Sequence, residues 1–172
     1  MGNEHVDDRD RRTARAAAAA WMLSLAVSMS PEASAADPNA VPAQHRGSWV
    51  PAQATCESPV RVVVGADRLT LQNGSDKEAL GGIEMAGPGY FAPGYRGIMA
   101  VLLTEFSGEQ PAMVTFNPRE RKGAAQVDFA PPIPGNGTAQ SSAYNARISK
   151  LNLGKRFPID KVLLKKCPGA AA

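Results

Sequence analysis

Cysteine occurs twice in the chain, at Cys56 and Cys167, and the two are 111 positions apart. In an oxidising compartment an even count predicts a disulfide. Closing a loop of that order stabilises a fold by up to about 4.7 kcal/mol in the chain-entropy model. Such a bridge also makes the first and last elements neighbours, as they are in a closed or nearly closed sheet. The fold therefore depends on where the chain works.

The N-terminal residues speak to that. Arg9, Arg11, Arg12 and Arg15 precede an apolar run from Ala16 to Val27, and Ala33-Ser34-Ala35 follows as a small-residue cleavage site. This order is that of a secretory leader. The run is shorter than the roughly 20 residues needed to cross a bilayer core. The reading is a signal peptide over 1–36 and an exported chain, periplasmic or extracellular, with no transmembrane span in its mature part. The alanine-rich leader is of bacterial type. Glu4, Asp7, Asp8 and Asp10 make its first residues acidic, which departs from the usual pattern.

After the leader, 37–46 is polar, carries two prolines and reads as a flexible lead-in. A single β domain is predicted over 47–168, with a disordered tail at 169–172. Val60–Val64 is β-branched apart from Arg61, Gly65-Ala66-Asp67 is a turn, and Arg68–Asn73 alternates. Asn73-Gly74 is the dipeptide most typical of a tight hairpin. Further strands are predicted at Leu80–Met85, Ile98–Phe106, Ala112–Asn117, Ala125–Phe129, Arg147–Leu153 and Lys161–Cys167. The run Ile98–Leu103 does not alternate and reads as a strand buried on both faces. Tyr144, Ile148 and Leu151 also suit a helix, so the 147–153 assignment is open. Phe129–Ser142 is a long proline-containing loop. The pattern predicts a mainly β fold, a small antiparallel β-barrel or β-sandwich closed by one disulfide.

Catalytic signatures are sparse. The only histidines are His5 in the leader and His45 in the lead-in, so the domain proper lacks the base of a Ser-His-Asp or Cys-His system. No His/Cys metal spacing, phosphate-cradling loop or dinucleotide motif occurs, and no cofactor or metal is expected. Glu84, Glu105, Glu109, Glu120, Asp128 and Asp160 remain as carboxylates from which an acid/base pair could be drawn. Asn73-Gly-Ser and Asn136-Gly-Thr match glycosylation sequons and read as turns in a bacterial chain.

Two features point to binding instead. GPGYFAPGYRG, residues 87–97, repeats Pro-Gly-Tyr and would raise Tyr90, Phe91 and Tyr95 beside Arg96. Aromatic residues with one arginine suit a ring, a sugar or a protein contact; the bland alternative is tyrosines capping a core. The segment 147–166 carries Arg147, Lys150, Lys155, Arg156, Lys161, Lys165 and Lys166 against Asp160 alone. That bias predicts an anionic partner or, alternatively, a solvated basic face. Export, and the lack of aromatics among these lysines beyond Phe157, argue against nucleic acid.

Gly47-Ser48-Trp49 resembles the G-x-W that opens the first strand of lipocalins and related calycin barrels. The resemblance implies a calycin-like barrel in which Trp49 closes one end beneath a basic side chain, here Arg147 or Arg156. It also implies a cup for a small apolar ligand. Together these features favour an exported, non-catalytic binding module for a small molecule or an anionic envelope component, using Trp49, Tyr90, Phe91, Tyr95 and Arg96. Alternatives are a secreted inhibitor or interaction protein acting on another protein, and a hydrolase that uses carboxylates alone.

Overall fold

A computed structural model describes residues 40–106, 108–134 and 138–169. The predicted leader, Asn136 and the last three residues of the tail lie outside these. Eight antiparallel strands, each hydrogen-bonded to its neighbours in sequence, close on themselves through the first and the last. They are β1 (Gly47–Pro51), β2 (Val60–Val64), β3 (Leu69–Asn73), β4 (Asp76–Ala86), β5 (Ala100–Glu105), β6 (Ala112–Phe116), β7 (Ala124–Phe129) and β8 (Leu163–Lys166). Between β7 and β8 lie two helices, α1 (Ala139–Leu151) and α2 (Leu153–Arg156). The architecture is a barrel, which decides between the two β folds expected.

The predicted hairpin forms, with Val64 opposite Leu69 and Val60 opposite Asn73. Gly74 then turns the chain at φ +59°, and Asn73 faces Asp76. Strand alternation sends Val62, Val64, Leu69, Leu71 and Leu80 inward, where they are fully buried. Leu102, Val114, Phe116, Val127 and Leu164 complete the interior from the remaining strands. β5 is buried on both faces at Val101 and Leu102, as the unbroken apolar run required. Gly82 marks a bulge between β4 and β5: its φ is +54°, and a Cβ there would lie 2.7 Å from Glu105 Cβ.

Cys56 and Cys167 are bonded, with their Cα atoms 5.7 Å apart. Cys167 N–H donates to the Ser48 carbonyl, so the bridge sits on the outer wall of β1. The loop 52–59 returns along that wall. Arg61 holds it by donating to the Cys56 and Ser58 carbonyls. Val50, on the same outward face of β1 as Ser48, is fully buried.

Both ends of the barrel are plugged. At the end where β1 begins, Trp49 lies 5.5 Å from Phe116, and His45 stacks on Phe116 at 4.2 Å. Trp49 Nε1 donates to the His45 carbonyl, and Val41 is fully buried against this layer. Residues 41–46, expected to be a flexible lead-in, thus form a lid. The expectation rested on polarity and two prolines, which say nothing of one valine that reaches the core. At the opposite end Leu151, Leu153, Phe157 and Ile159 close the interior.

The strand expected at Arg147–Leu153 is instead the end of α1, the Asn152 cap and the first residue of α2, as the Tyr144–Ile148–Leu151 spacing had allowed. Thr138 caps its N-terminus by accepting from Ser141 N–H, and Asn152 ends it at φ +48°. Only Ser141 and Leu151 of this helix are buried. Few apolar positions face the core, so the helical period is faint in the sequence.

Candidate functional site

Trp49 packs where the resemblance placed it, but the base above it is different. Lys166 is its register partner across β1 and β8 and holds Nζ 6.0 Å from the indole centroid. Arg147 and Arg156 lie at the helical end. Lys166 Nζ also donates to the Gln44 carbonyl, tying the lid to β8. With the interior filled and both ends plugged, Trp49 acts in packing.

His45 belongs to this lid. Burial, and then the neighbouring Lys166 ammonium, hold its imidazole below the ordinary value of 6.5. The unfolded chain therefore takes up the proton first as pH falls. Stability is full above about 6.5, declines as pH drops below it, and levels off once the folded value is passed. Melting temperature against pH should show this slope, and His45→Phe, which preserves the stack on Phe116, should flatten it. An unchanged slope would assign the effect to another group.

The 87–99 segment folds back along the outer wall of β5 and β6. Tyr90, Phe91 and Tyr95 form an edge-to-face ladder with centroids 5.7 Å apart at each step. Tyr90 is 53% exposed and reaches Met113 on β6. At the far end Tyr95 O–H donates to Glu120, and Met99 N–H donates back to the phenol oxygen. Arg96 is exposed beside them. The predicted ligand residues Tyr90, Phe91, Tyr95 and Arg96 are thus together, and Trp49 is inside the barrel.

Met113 also edges a groove of about 750 Å³ between the helices and the ends of β6 and β7. Its apolar surface comes from Met113, Phe129, Pro131, Ile148, Leu151 and Leu153. Lys155 and Lys161 stand at its rim with Asp128 and Asp160. Asp160 is fixed by Phe129 N–H at 2.8 Å, and Gln126 donates to Asp128 at 3.2 Å. Gly154 belongs to the lining, and a Cβ there would meet Phe129 at 4.0 Å, an ordinary contact. Glu84 and Glu105 share a separate depression of about 320 Å³. Among the described residues no group of three or more His, Cys, Asp or Glu is placed to hold a metal ion.

The basic C-terminal residues are dispersed. Arg156 donates to both oxygens of Asp76, at 2.6 and 3.0 Å, and to Glu78 at 2.7 Å. It lies 4.9 Å over the Phe157 ring and also caps the Leu151 carbonyl. Arg147 pairs with Glu109 at 3.2 Å. Lys155 joins the groove, Lys166 the lid, and Lys150 a shallow depression beside Arg147 and Arg156. Lys165 is exposed on β8. The groove itself escaped sequence reading, because its walls come from β6, β7 and helices read as loop and strand. No helix among the described residues is long and apolar enough to cross a membrane. No protein-family model, curated protein or solved structure gives a significant match to the chain.

Proposed function

We propose that the chain is an exported binding module whose ligand is a small molecule with an apolar body and an anionic group. The groove between the helices and β6–β7 carries this reading. Its size lies within the range of small-molecule sites, and its apolar floor with a few charged rim groups is their usual make-up. Lys155 and Lys161 offer partners for the anionic group, and Tyr90 stands where the groove meets Met113. The filled barrel speaks against a ligand cup inside it. A half-exposed Tyr90 on an aromatic ladder also suits a protein partner, which is the second reading.

The test uses 1-anilinonaphthalene-8-sulfonate, an aromatic sulfonate with the required chemistry. Wild-type chain should bind it with one-to-one stoichiometry, and Gly154→Leu should weaken binding by about tenfold, the worth of ~1.4 kcal/mol of lost contact. The added side chain enters the groove from α2 without a backbone clash. Replacing a helical glycine should leave the melting temperature unchanged or raise it. Equal dye affinity in wild type and variant would rule the groove out.

A further inference from the structure

The β6–β7 connection, 117–123, carries three of the five positive-φ non-glycine residues among the described residues. Asn117, Arg119 and Glu120 have φ of +52°, +51° and +59°, the left-handed region that is strained for non-glycine residues. Hydrogen bonds from the facing segment hold it there. Asn117 donates to the Ile98 carbonyl at 2.9 Å and accepts from Gly123 N–H at 2.9 Å. Glu120 accepts from Ile98 N–H at 3.1 Å and from Tyr95 O–H.

The consequence is a sorting of charge. Glu120 is engaged by the 95–98 segment, whereas Arg119, Arg121 and Lys122 stand exposed on the turn and Arg96 beside it. Among the described residues none of these four cations has an acidic partner within ion-pair distance. Next to them Ile98 is 47% exposed, one of three exposed large hydrophobics among the described residues. A hydrophilic polyanion gains nothing from that isoleucine. A bilayer surface uses both, because cations meet anionic headgroups while an apolar side chain enters the interface.

We infer that this knuckle, Arg96 and Ile98 with Arg119, Arg121 and Lys122, docks the barrel on an anionic lipid surface. The groove lies elsewhere, so this inference does not depend on the function proposed for it. Each cation near such a surface strengthens binding by about fivefold, an effect that falls away within a Debye length as salt rises.

Co-sedimentation of the full chain with phosphatidylcholine vesicles, with and without phosphatidylglycerol, tests this. Every comparison is made within one chain, so any contribution of the apolar run Ala16–Val27 is common to wild type and variants. Binding should require phosphatidylglycerol and weaken with salt. Arg121→Glu with Lys122→Glu should reduce it by about tenfold or more, and Ile98→Ser should remove the part that persists at high salt. Melting temperatures close to wild type, as expected for exposed side chains, show that both variants fold; Arg121→Gln with Lys122→Gln is the milder substitute if reversal unfolds the turn. Equal binding to both vesicle types, or wild-type binding by the charge variant, overturns the inference. Full competition by inorganic polyphosphate with no effect of Ile98→Ser also overturns it, in favour of a soluble polyanion.

Discussion

Replacing Cys56 and Cys167 together by serine is expected to lower the melting temperature by about 10–15 °C. The closed loop spans 111 residues, for which the chain-entropy model gives up to roughly 4.7 kcal/mol. One kcal/mol corresponds to about 2–4 °C for a domain near this size. A further loss acts in the same direction: the 52–59 loop, which the bridge ties to Cys167, is freed at Cys56. Dithiothreitol should bring wild type to the same midpoint and leave the double variant unmoved. A difference below about 3 °C would mean that the reduced chain retains the seam unaided.

Arg156→Ala is the second large effect, expected at about 2 kcal/mol by urea unfolding. A fully buried pair broken on one side costs more, roughly 3–5 kcal/mol; here the arginine side chain is 27% exposed and solvent screens part of the loss. Removal leaves the Asp76 and Glu78 carboxylates, two positions apart on β4, without their shared counter-charge, strips the ring contact with Phe157 and uncaps the Leu151 carbonyl. Arg156→Lys should recover less than half, because an ammonium cannot fork to two carboxylates. The acid limb carries a signature of its own. Arg156 holds the Asp76 carboxyl below its ordinary value. That contribution is present above the unfolded value near 3.9 and is lost as pH falls through the folded one. Arg156→Ala should flatten stability in that acid range, well below the range in which His45 acts. An unaltered acid limb would place the effect on other carboxylates.

The two cysteines and Arg156 mark how far the sequence was legible. Cys56 and Cys167 could be paired on paper because there are no other cysteines, and the pairing with short alternating strands led to a closed or nearly closed sheet. The β2–β3 hairpin was readable residue by residue, since Gly65-Ala66-Asp67 and Asn73-Gly74 are local signals. Arg156 was not readable in the same way. Its carboxylates lie about 80 positions earlier, and a basic stretch looks identical whether its charges face solvent or close a barrel. Lys166 shows the same limit, because only the β1–β8 register decides which base lies over Trp49. Val41 was hidden in a polar stretch, and α1 by burying only two of its residues. The aromatic ladder was partly visible, because Pro-Gly repeats reveal a turn without telling which wall it folds against.

The seam between β1 and β8 has a kinetic consequence. Every other ladder joins consecutive strands, the longest connection being the helical segment 130–162 between β7 and β8; this one joins Trp49 to Lys166, across nearly the whole domain. Loop-closure entropy makes that contact the slowest to reward the chain. Before it forms, β1 and β8 are free edges, the kind that pair with a neighbouring molecule. Early oxidation of Cys56 with Cys167 holds those two edges within reach of each other, so the bridge that stabilises the finished barrel also shortens the time it spends open to aggregation.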